Sequence, residues 1–322
     1  MSSIIESLRV RVARKDQIAL GIASFELVSA DGMPLPAFEA GSHVDVAVPG
    51  GLTRQYSLCN DPSESDRYQI AVLNVPNGRG GSRAMHEAVR LGDVLVISKP
   101  RNHFPLASTH GHSLLLAGGI GITPLLCMAE HLAQMGRPFT LHYFARSAER
   151  AAFIGRIRAS RFSAHAHFHF NDAPAVQPDL QALLASAGAG AHLYTCGPKG
   201  FMDAVLACAR NNGWADDRLH QEYFNAEPVK VESEGAFEVQ LASSGRVIPI
   251  AAGQTVIAAL AAQGVHIETS CEQGVCGTCL TRVLDGEPDH RDVYLTAVEQ
   301  VANDQFLPCC SRAKSGRLVL DI

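Results

Sequence analysis

The chain contains no run of about 18 or more apolar residues, so nothing in it reads as a membrane-spanning helix. Charge is sparse and balanced, with 27 Lys and Arg against 32 Asp and Glu and a formal net charge of −5. No basic stripe stands out, which argues against a nucleic-acid partner. The first ten residues lack the charged-then-apolar layout of a secretory leader. The expected compartment is therefore the cytoplasm, where thiols stay reduced. Internal repeats and low-complexity tracts are absent. Ser57 is not framed by Gly-x-Ser-x-Gly, so a hydrolase nucleophile elbow is excluded there.

Apolar residues are abundant, at 47% of 322 positions, enough to fill two or three domain cores. The first hundred residues read as short strands: Leu8 to Val12, Ile18 to Leu27, Ser42 to Val48, Tyr68 to Val75 and Val94 to Ser98. Turn-forming clusters such as Pro49-Gly50-Gly51 and Asn60-Asp61-Pro62 separate them, a rhythm that suggests a barrel or sandwich. A short helix is expected from Ser82. From about residue 108 strands and helices alternate. Strands are expected at Ser113 to Ala117, Thr140 to Ala145, His165 to Phe170, His192 to Cys196 and Leu219 to Phe224. Helices are expected at Pro124 to Met135, Ala151 to Ala159, Pro178 to Ala187 and Lys199 to Asn211. That alternation argues for a parallel sheet. The acidic stretch Glu227 to Glu234 reads as a solvated linker. Beyond it come a hairpin-like pair (Phe237 to Ala242, Arg246 to Ile250), a helix (Thr255 to Gln263), a cysteine loop and a last strand, Arg317 to Asp321. The expected division is 1–107, 108–226, a linker at 227–235, and 236–322.

Nine cysteines are present, and a dense triplet and an adjacent pair fall near the C-terminal end. In Ser270-Cys271-Glu272-Gln273-Gly274-Val275-Cys276-Gly277-Thr278-Cys279, four residues and then two separate successive cysteines. A fourth thiolate is available at Cys309 or Cys310. This is the plant-type spacing for a [2Fe–2S] cluster held by four thiolates. Structural zinc would call for paired short spacings instead. Gly274 and Gly277 permit the tight backbone turns that wrapping a cluster demands.

Two further patterns are weak alone and stronger together. Arg54-Gln55-Tyr56-Ser57 offers a cationic fork for a phosphate, a flat face for a flavin ring and a hydroxyl beside it. Gly80-Gly81-Ser82 opens a helix whose free N–H groups attract a phosphate. Gly118-Gly119-Ile120-Gly121-Ile122-Thr123-Pro124 follows a buried strand and opens another helix, so its backbone can approach a pyrophosphate. Tyr194-Thr195-Cys196-Gly197-Pro198 ends a later strand, where ligands of open parallel sheets bind. Cys196 is a candidate for contact with the nicotinamide, and Asp172 for the adenine ribose. Arg146-Ser147 lies where a 2′-phosphate would want basic residues, and a single Arg there leaves the choice of nucleotide open. His165, His167 and His169 alternate and are expected to share one strand face beside a cofactor or helix, rather than to bind a metal.

These motifs, with Leu58-Cys59-Asn60, Asn77-Gly78-Arg79, Asp289-His290-Arg291-Asp292 and Ser311-Arg312-Ala313-Lys314, resemble the phthalate dioxygenase reductase family, which includes vanillate O-demethylase and carnitine monooxygenase reductases. The likeness spans essentially the whole chain. It implies an antiparallel β-barrel flavin domain, an α/β parallel-sheet nicotinamide domain and an α+β β-grasp ferredoxin domain. It also implies FMN, NADH and a Rieske-type oxygenase as electron acceptor, with the reductase itself monomeric. Within the family the terminal cysteine is followed by one residue and then Ser-Arg, which selects Cys309 alongside Cys271, Cys276 and Cys279 as iron ligands. The same likeness sets Thr123, Glu222 and Phe224 near the flavin. The full candidate set for cofactor contact is Arg54, Gln55, Tyr56, Ser57, Ala71, Gly80, Gly81, Ser82, Gly119, Gly121, Thr123, Pro124, Cys196, Gly197, Glu222 and Phe224. Ser57, Thr123 and Cys196 are the candidates closest to the chemistry. The competing expectations are a reductase serving a cytochrome or a diiron hydroxylase, and a redox-sensing module.

Overall fold

The computed structural model describes residues 7–109, 111–172, 178–188, 190–224 and 235–322. By compactness the chain divides into two units, Met1–Glu222 and Tyr223–Ile322. The expected linker at 227–235 falls almost wholly outside the described residues.

The first unit opens with an antiparallel sheet of β1 (Ser7–Ala19), β2 (Ile22–Ser29), β3 (Ser42–Val48), β4 (Leu52–Ser57), β5 (Tyr68–Leu73), β6 (Val94–Ser98) and β7 (Arg101–Asn102). Side chains alternate as a one-sided sheet requires: Val10 and Val12 are buried while Arg9 and Arg11 face solvent. The stretch Ile18 to Leu27, expected as one strand, is instead split between β1 and β2. Leu20 and Gly21 reverse the chain, with Gly21 at φ +74°. Neighbours run β4-β3-β6-β1-β2-β5, with β7 on β3. The two ends of that path come together just past β4, where the Cys59 N–H donates to the Gln69 carbonyl (2.9 Å). Helix α1 (Gly81–Glu87) crosses between β5 and β6.

The same unit continues into a parallel sheet of β8 (Ser113–Gly118), β9 (Phe139–Ala145), β10 (Ala166–Phe170), β11 (His192–Cys196) and β12 (Leu219–Glu222). Its helices are α2 (Ile122–Gln134), α3 (Ile154–Ala159), α4 (Leu180–Ser186) and α5 (Lys199–Asn211). Strand order is β10-β9-β8-β11-β12, every neighbour parallel. The chain winds outward from β8 through β9 to β10, then returns to lay β11 and β12 on the other side. Such a reversal opens a crevice at the carboxyl ends of β8 and β11. Every residue of β8 is buried, as a central strand covered on both faces must be. On one face Leu114, Leu116 and Leu193 pack against Leu184, Val205, Ala209 and Trp214. Several boundaries differ from expectation by one to three residues, β12 ending at Glu222 rather than Phe224 and α4 starting at Leu180 rather than Pro178 among them. Helix α3 starts at Ile154, three residues late, because buried Phe153 takes a left-handed φ of +63°. His165 falls outside β10, so the histidine row is completed by His142 of β9, whose ring stacks on His167 at 4.8 Å and His169 at 5.3 Å.

The second unit is a mixed sheet of β13 (Phe237–Leu241), β14 (Val247–Ile250), β15 (Thr281–Asp285), β17 (Gln305–Phe306) and β19 (Arg317–Leu320), ordered β14-β13-β19-β15-β17. A two-stranded ribbon joins β16 (Pro288–Asp289) to β18 (Arg312–Ala313). Helix α6 (Val256–Ala262), capped by the Thr255 hydroxyl, lays Val256, Ala259 and Leu260 on the sheet in a core with Val239, Ile250, Phe306 and Leu318. β15 to β18 and helix α7 (Ala297–Ala302) were not anticipated from sequence. They are short, and β15 exposes every second residue or more. Helix α7 does carry its own start signal, a capping box between Thr296 and Glu299.

Candidate functional site: a cysteine loop and a two-domain crevice

The second unit folds the cysteine loop between α6 and β15. Glu272, Gly274 and Gly277 all sit at positive φ, coiling the backbone tightly around the thiols. A Cβ on Gly274 would collide with Cys310 Sγ, and one on Gly277 with the Tyr294 ring, so glycine is required twice over. Cys271, Cys276, Cys279 and Cys309 are all buried, whereas Cys310 is half-exposed. Cys271 is hydrogen-bonded to Cys276, and Cys309 to Cys279 on one side and to Cys310 on the other. Among the described residues, no three His, Cys, Asp or Glu side chains gather as a single-ion site would need. Amides point at sulfur: Gln273 N lies 3.4 Å from Cys271 Sγ and Thr278 N 3.5 Å from Cys276 Sγ. Hydrogen bonds with Cys271 and Thr278 hold the Cys276 thiol below its ordinary range against the opposing effect of burial. Cys309 shares a small apolar core with Cys279, Leu295 and Leu307, and Cys310 turns to Leu307 O and Ser311 Oγ at 3.7 Å each. The donor set, two pairs of buried thiols in an amide-rich loop, suits two irons each held by two thiolates.

In the first unit, β4 alternates so that Arg54 and Tyr56 share one face. The Arg54 side chain covers Gly81, whose added Cβ would stand 2.6 Å from Arg54 Nε. Arg54 thus sits at the mouth of α1. Gly80 caps that helix at φ +91° and no side chain caps its first amides. Ser82 Oγ accepts from Val75 N at 3.1 Å. The Tyr56 hydroxyl is buried and has no hydrogen-bond partner among the described residues, and burial pushes its pKa up. A buried phenol without a partner is costly, and a polar ring system laid against it supplies one. Gln55 points to the other side of the strand, 3.2 Å from His43 Nε2, so its side chain is held within the sheet. Ala71 is buried on β5.

The crevice at the switch point is lined by two glycine turns packed together. A Cβ on Gly121 would strike the Cys196 carbonyl, and one on Gly197 would come 2.9 Å from Gly118 Cα. Gly119 is at φ +56°. Pro124 occupies the first turn of α2, where its missing N–H costs nothing. Thr123 is buried and donates to Ile120 O (3.1 Å). Cys196 and Glu222 sit side by side at the ends of β11 and β12. The Ser57 hydroxyl, arriving from the barrel, donates to Glu222 Oε2 at 3.0 Å. Burial raises the Glu222 carboxyl to about 7, with the Ser57 bond pulling the other way, and burial raises the Cys196 thiol well above its ordinary range. Phe224 is described, and lies two residues beyond the end of β12. Arg146 and Asp172 stand together past β9 and β10, where Asp172 N donates to Arg146 O (3.3 Å). Sequence reasoning named Ser57, Cys196 and Glu222 one by one but not their meeting, which joins residues 57 and 222. It missed Thr278 and Tyr294 at the cysteine loop. Thr278 sits inside the Cys-x-x-Cys run and was legible there.

A barrel, a doubly wound sheet and a buried four-thiol loop on one chain define an electron-transfer oxidoreductase. Residues 239–314 match the 2Fe-2S iron-sulfur cluster binding domain, and residues 96–219 match the dimethylamine monooxygenase subunit DmmA-like N-terminal domain. The chain is 53% identical, over 98% of its length and 100% of the relative's, to the vanillate O-demethylase oxidoreductase of a Pseudomonas species. The solved structure of phthalate dioxygenase reductase, described as modular for electron transfer from pyridine nucleotides to [2Fe-2S], aligns with TM-score 0.77 and 39% identity over 98% of each chain. A self-sufficient type IV cytochrome P450 monooxygenase aligns with TM-score 0.86 and 38% identity over 98% of this chain, which spans 41% of that longer one. The chain belongs to the phthalate dioxygenase reductase-like family of oxidoreductases, with a [2Fe–2S] cluster-binding C-terminal domain.

Proposed function

We propose that this chain is an NADH-dependent reductase. It carries electrons through FMN and a [2Fe–2S] cluster to a Rieske-type oxygenase component, as a cytoplasmic monomer. The observation that carries this reading is the meeting of Ser57, Glu222 and Cys196 beside two interlocked glycine turns, on a chain that also buries four paired thiols. A bound flavin would supply the conversion between a two-electron hydride and the single electrons that an iron–sulfur cluster accepts. The chain's own residues do the positioning. Arg54 and the open amides of α1 bind a phosphate, and Tyr56 offers a flat face with its hydroxyl turned inward. The turns at 118–121 and 196–198 let a pyrophosphate approach the backbone closely. Ser57 and Glu222 hold a proton at a hydrogen bond beside the redox centre, and buried Cys196 excludes water from it. Cys271, Cys276, Cys279 and Cys309 hold the two irons, with Cys310 outside the set. Relatives named as oxidoreductase or reductase of vanillate O-demethylase and phthalate dioxygenase support an oxygenase as acceptor. A second reading, a haem acceptor, has one observation in its favour: the same body occurs within a self-sufficient cytochrome P450 monooxygenase.

The test is an anaerobic absorbance titration with NADH, with iron, sulfide and released flavin assayed on the same sample. About two irons and one FMN per chain, with uptake of roughly three electrons, is the expected result. Flavin bleaching without iron, or zinc in its place, would remove the relay. Reduction of a purified Rieske oxygenase against a cytochrome P450 separates the two acceptors.

A further inference from the structure

The barrel and the parallel sheet of the first unit meet at more than the Ser57–Glu222 bond. Arg156, on α3, donates through Nη1 to Gln69 Oε1 of β5 at 2.7 Å and through Nε to Glu130 Oε1 of α2 at 3.2 Å. Gln69 is in turn bound to the segment that follows Ser57. Its carbonyl accepts from Cys59 N (2.9 Å) and from the Cys59 thiol (3.3 Å), and its N–H donates to Asn60 Oδ1 (2.9 Å). The far end of α2 is the Gly121–Thr123 turn. Arg156 is therefore the joint of a continuous chain of contacts. One arm reaches, through Gln69 and Cys59, the strand end bearing Tyr56 and Ser57. The other reaches, through Glu130, the helix whose start forms the nucleotide turn.

The joint is held stiffly. Phe153, buried and in the left-handed region at φ +63°, sets the start of α3, and the Arg156 guanidinium lies 5.8 Å over its ring. A non-glycine residue at positive φ persists where its surroundings over-determine it. Ala152 N donates to buried Tyr143 Oη at 2.9 Å, fixing the preceding residue as well. Glu130 is largely buried and Arg156 partly so. A planar fork that bonds two acceptors at once defines both their separation and their angle, which a single ammonium cannot do.

We propose that Arg156 is a positioning residue for hydride transfer, tying the barrel strand end that carries Tyr56 and Ser57 to α2 and so setting the gap between the flavin face and the nicotinamide turn. The inference rests on the reading above. Misplacement by about 1 Å in a transfer step costs on the order of 100-fold in rate. Arg156→Ala and Gln69→Leu should each slow flavin bleaching at saturating NADH by about 10- to 100-fold, with flavin content and NADH dissociation constant little changed. Arg156→Lys should recover part of the rate, and the double variant should be no slower than the worse single one, because both break one path. With 4-deuterated NADH the slowed step should show a full isotope effect. On the flavin-free protein, hydrogen exchange at the Cys59 and Gln69 amides should quicken in Arg156→Ala.

A bleaching rate within twofold of the parent in Arg156→Ala, with unchanged exchange at Cys59, overturns the proposal. A rate loss matched by equal flavin loss overturns it too, since that is a merely structural role. Should Arg156→Ala not fold, Arg156→Lys and Gln69→Leu decide by the same criteria. If the parent protein takes up no flavin or is not bleached by NADH, the functional reading itself fails before any variant is made.

Discussion

Glu222 is the residue whose ionisation the fold alters in the most useful way. Burial lifts its carboxyl to about 7 from an ordinary value of 4.5. Between those values the folded, flavin-free protein keeps a proton that the unfolded chain has released. Stability therefore falls as pH rises through that window and stays lower above it. Glu222→Gln removes this dependence. It should gain about 1–3 kcal/mol at pH 8 and nothing at pH 4, measured by urea unfolding of the flavin-free protein. An unchanged difference between the two pH values would show that the carboxylate is solvated. The cysteines give a second residue-scale outcome. Serine at Cys271, Cys276, Cys279 or Cys309 should abolish the cluster's visible absorbance and reduction of one-electron acceptors while NADH still bleaches the flavin. Cys310→Ser should keep both, since it is Cys309 that pairs with Cys279 of the loop, while Cys310 Sγ is hydrogen-bonded to Cys309 and lies near Leu307 O and Ser311 Oγ. Loss of iron from Cys310→Ser alone would reverse that assignment.

At the scale of elements, the nucleotide crevice depends on two turns that touch backbone to backbone. Gly121 has an ordinary helical φ of −62°, so it is glycine for space and not for conformation. Alanine there drives a methyl into the Cys196 carbonyl and must push β8 and β11 apart at their carboxyl ends. The expected cost is about 1–3 kcal/mol, with a raised KM for NADH and intact iron content. Thermal unfolding and steady-state kinetics on one preparation check it, and a normal KM would mean that the turns do not jointly form the nucleotide site. Gly80 is the converse case. Its φ of +91° leaves open space around it, so the price of alanine there is conformational. That substitution should weaken flavin retention without moving the KM for NADH.

At the scale of the molecule, two compact units each carry their own apolar core. The second buries four thiols that metal would bridge, and such binding free energy is folding free energy. Chelation of the iron should therefore lower the transition of Tyr223–Ile322 and leave that of Met1–Glu222 in place, seen as separate endotherms by scanning calorimetry. A single transition that shifts as a whole would mean that the units unfold as one. By the same reasoning a fragment spanning 235–322 should refold in the presence of iron and sulfide.

Much of this was legible in the residue order because the strongest signals are local. Cysteine spacing, glycines at turns and the two periodicities of strand and helix are properties of a few neighbouring residues, and each is imposed by backbone sterics or by the geometry of a ligand. The cysteine loop, the glycine turns and nearly all the parallel-sheet elements could be read in this way. Short or half-exposed elements, β15 to β18 and α7, gave too little periodicity to detect. So did the reversal at Leu20-Gly21, where a single glycine does the turning. What the order of residues left undecided is everything that joins distant positions: the meeting of Ser57 with Glu222, the pairing of thiols, the replacement of His165 by His142 in the ring stack, and the two-way grip of Arg156. Those depend on how sheets wind and which helix packs where, and they are decided by burial across the whole chain rather than by any short stretch of it.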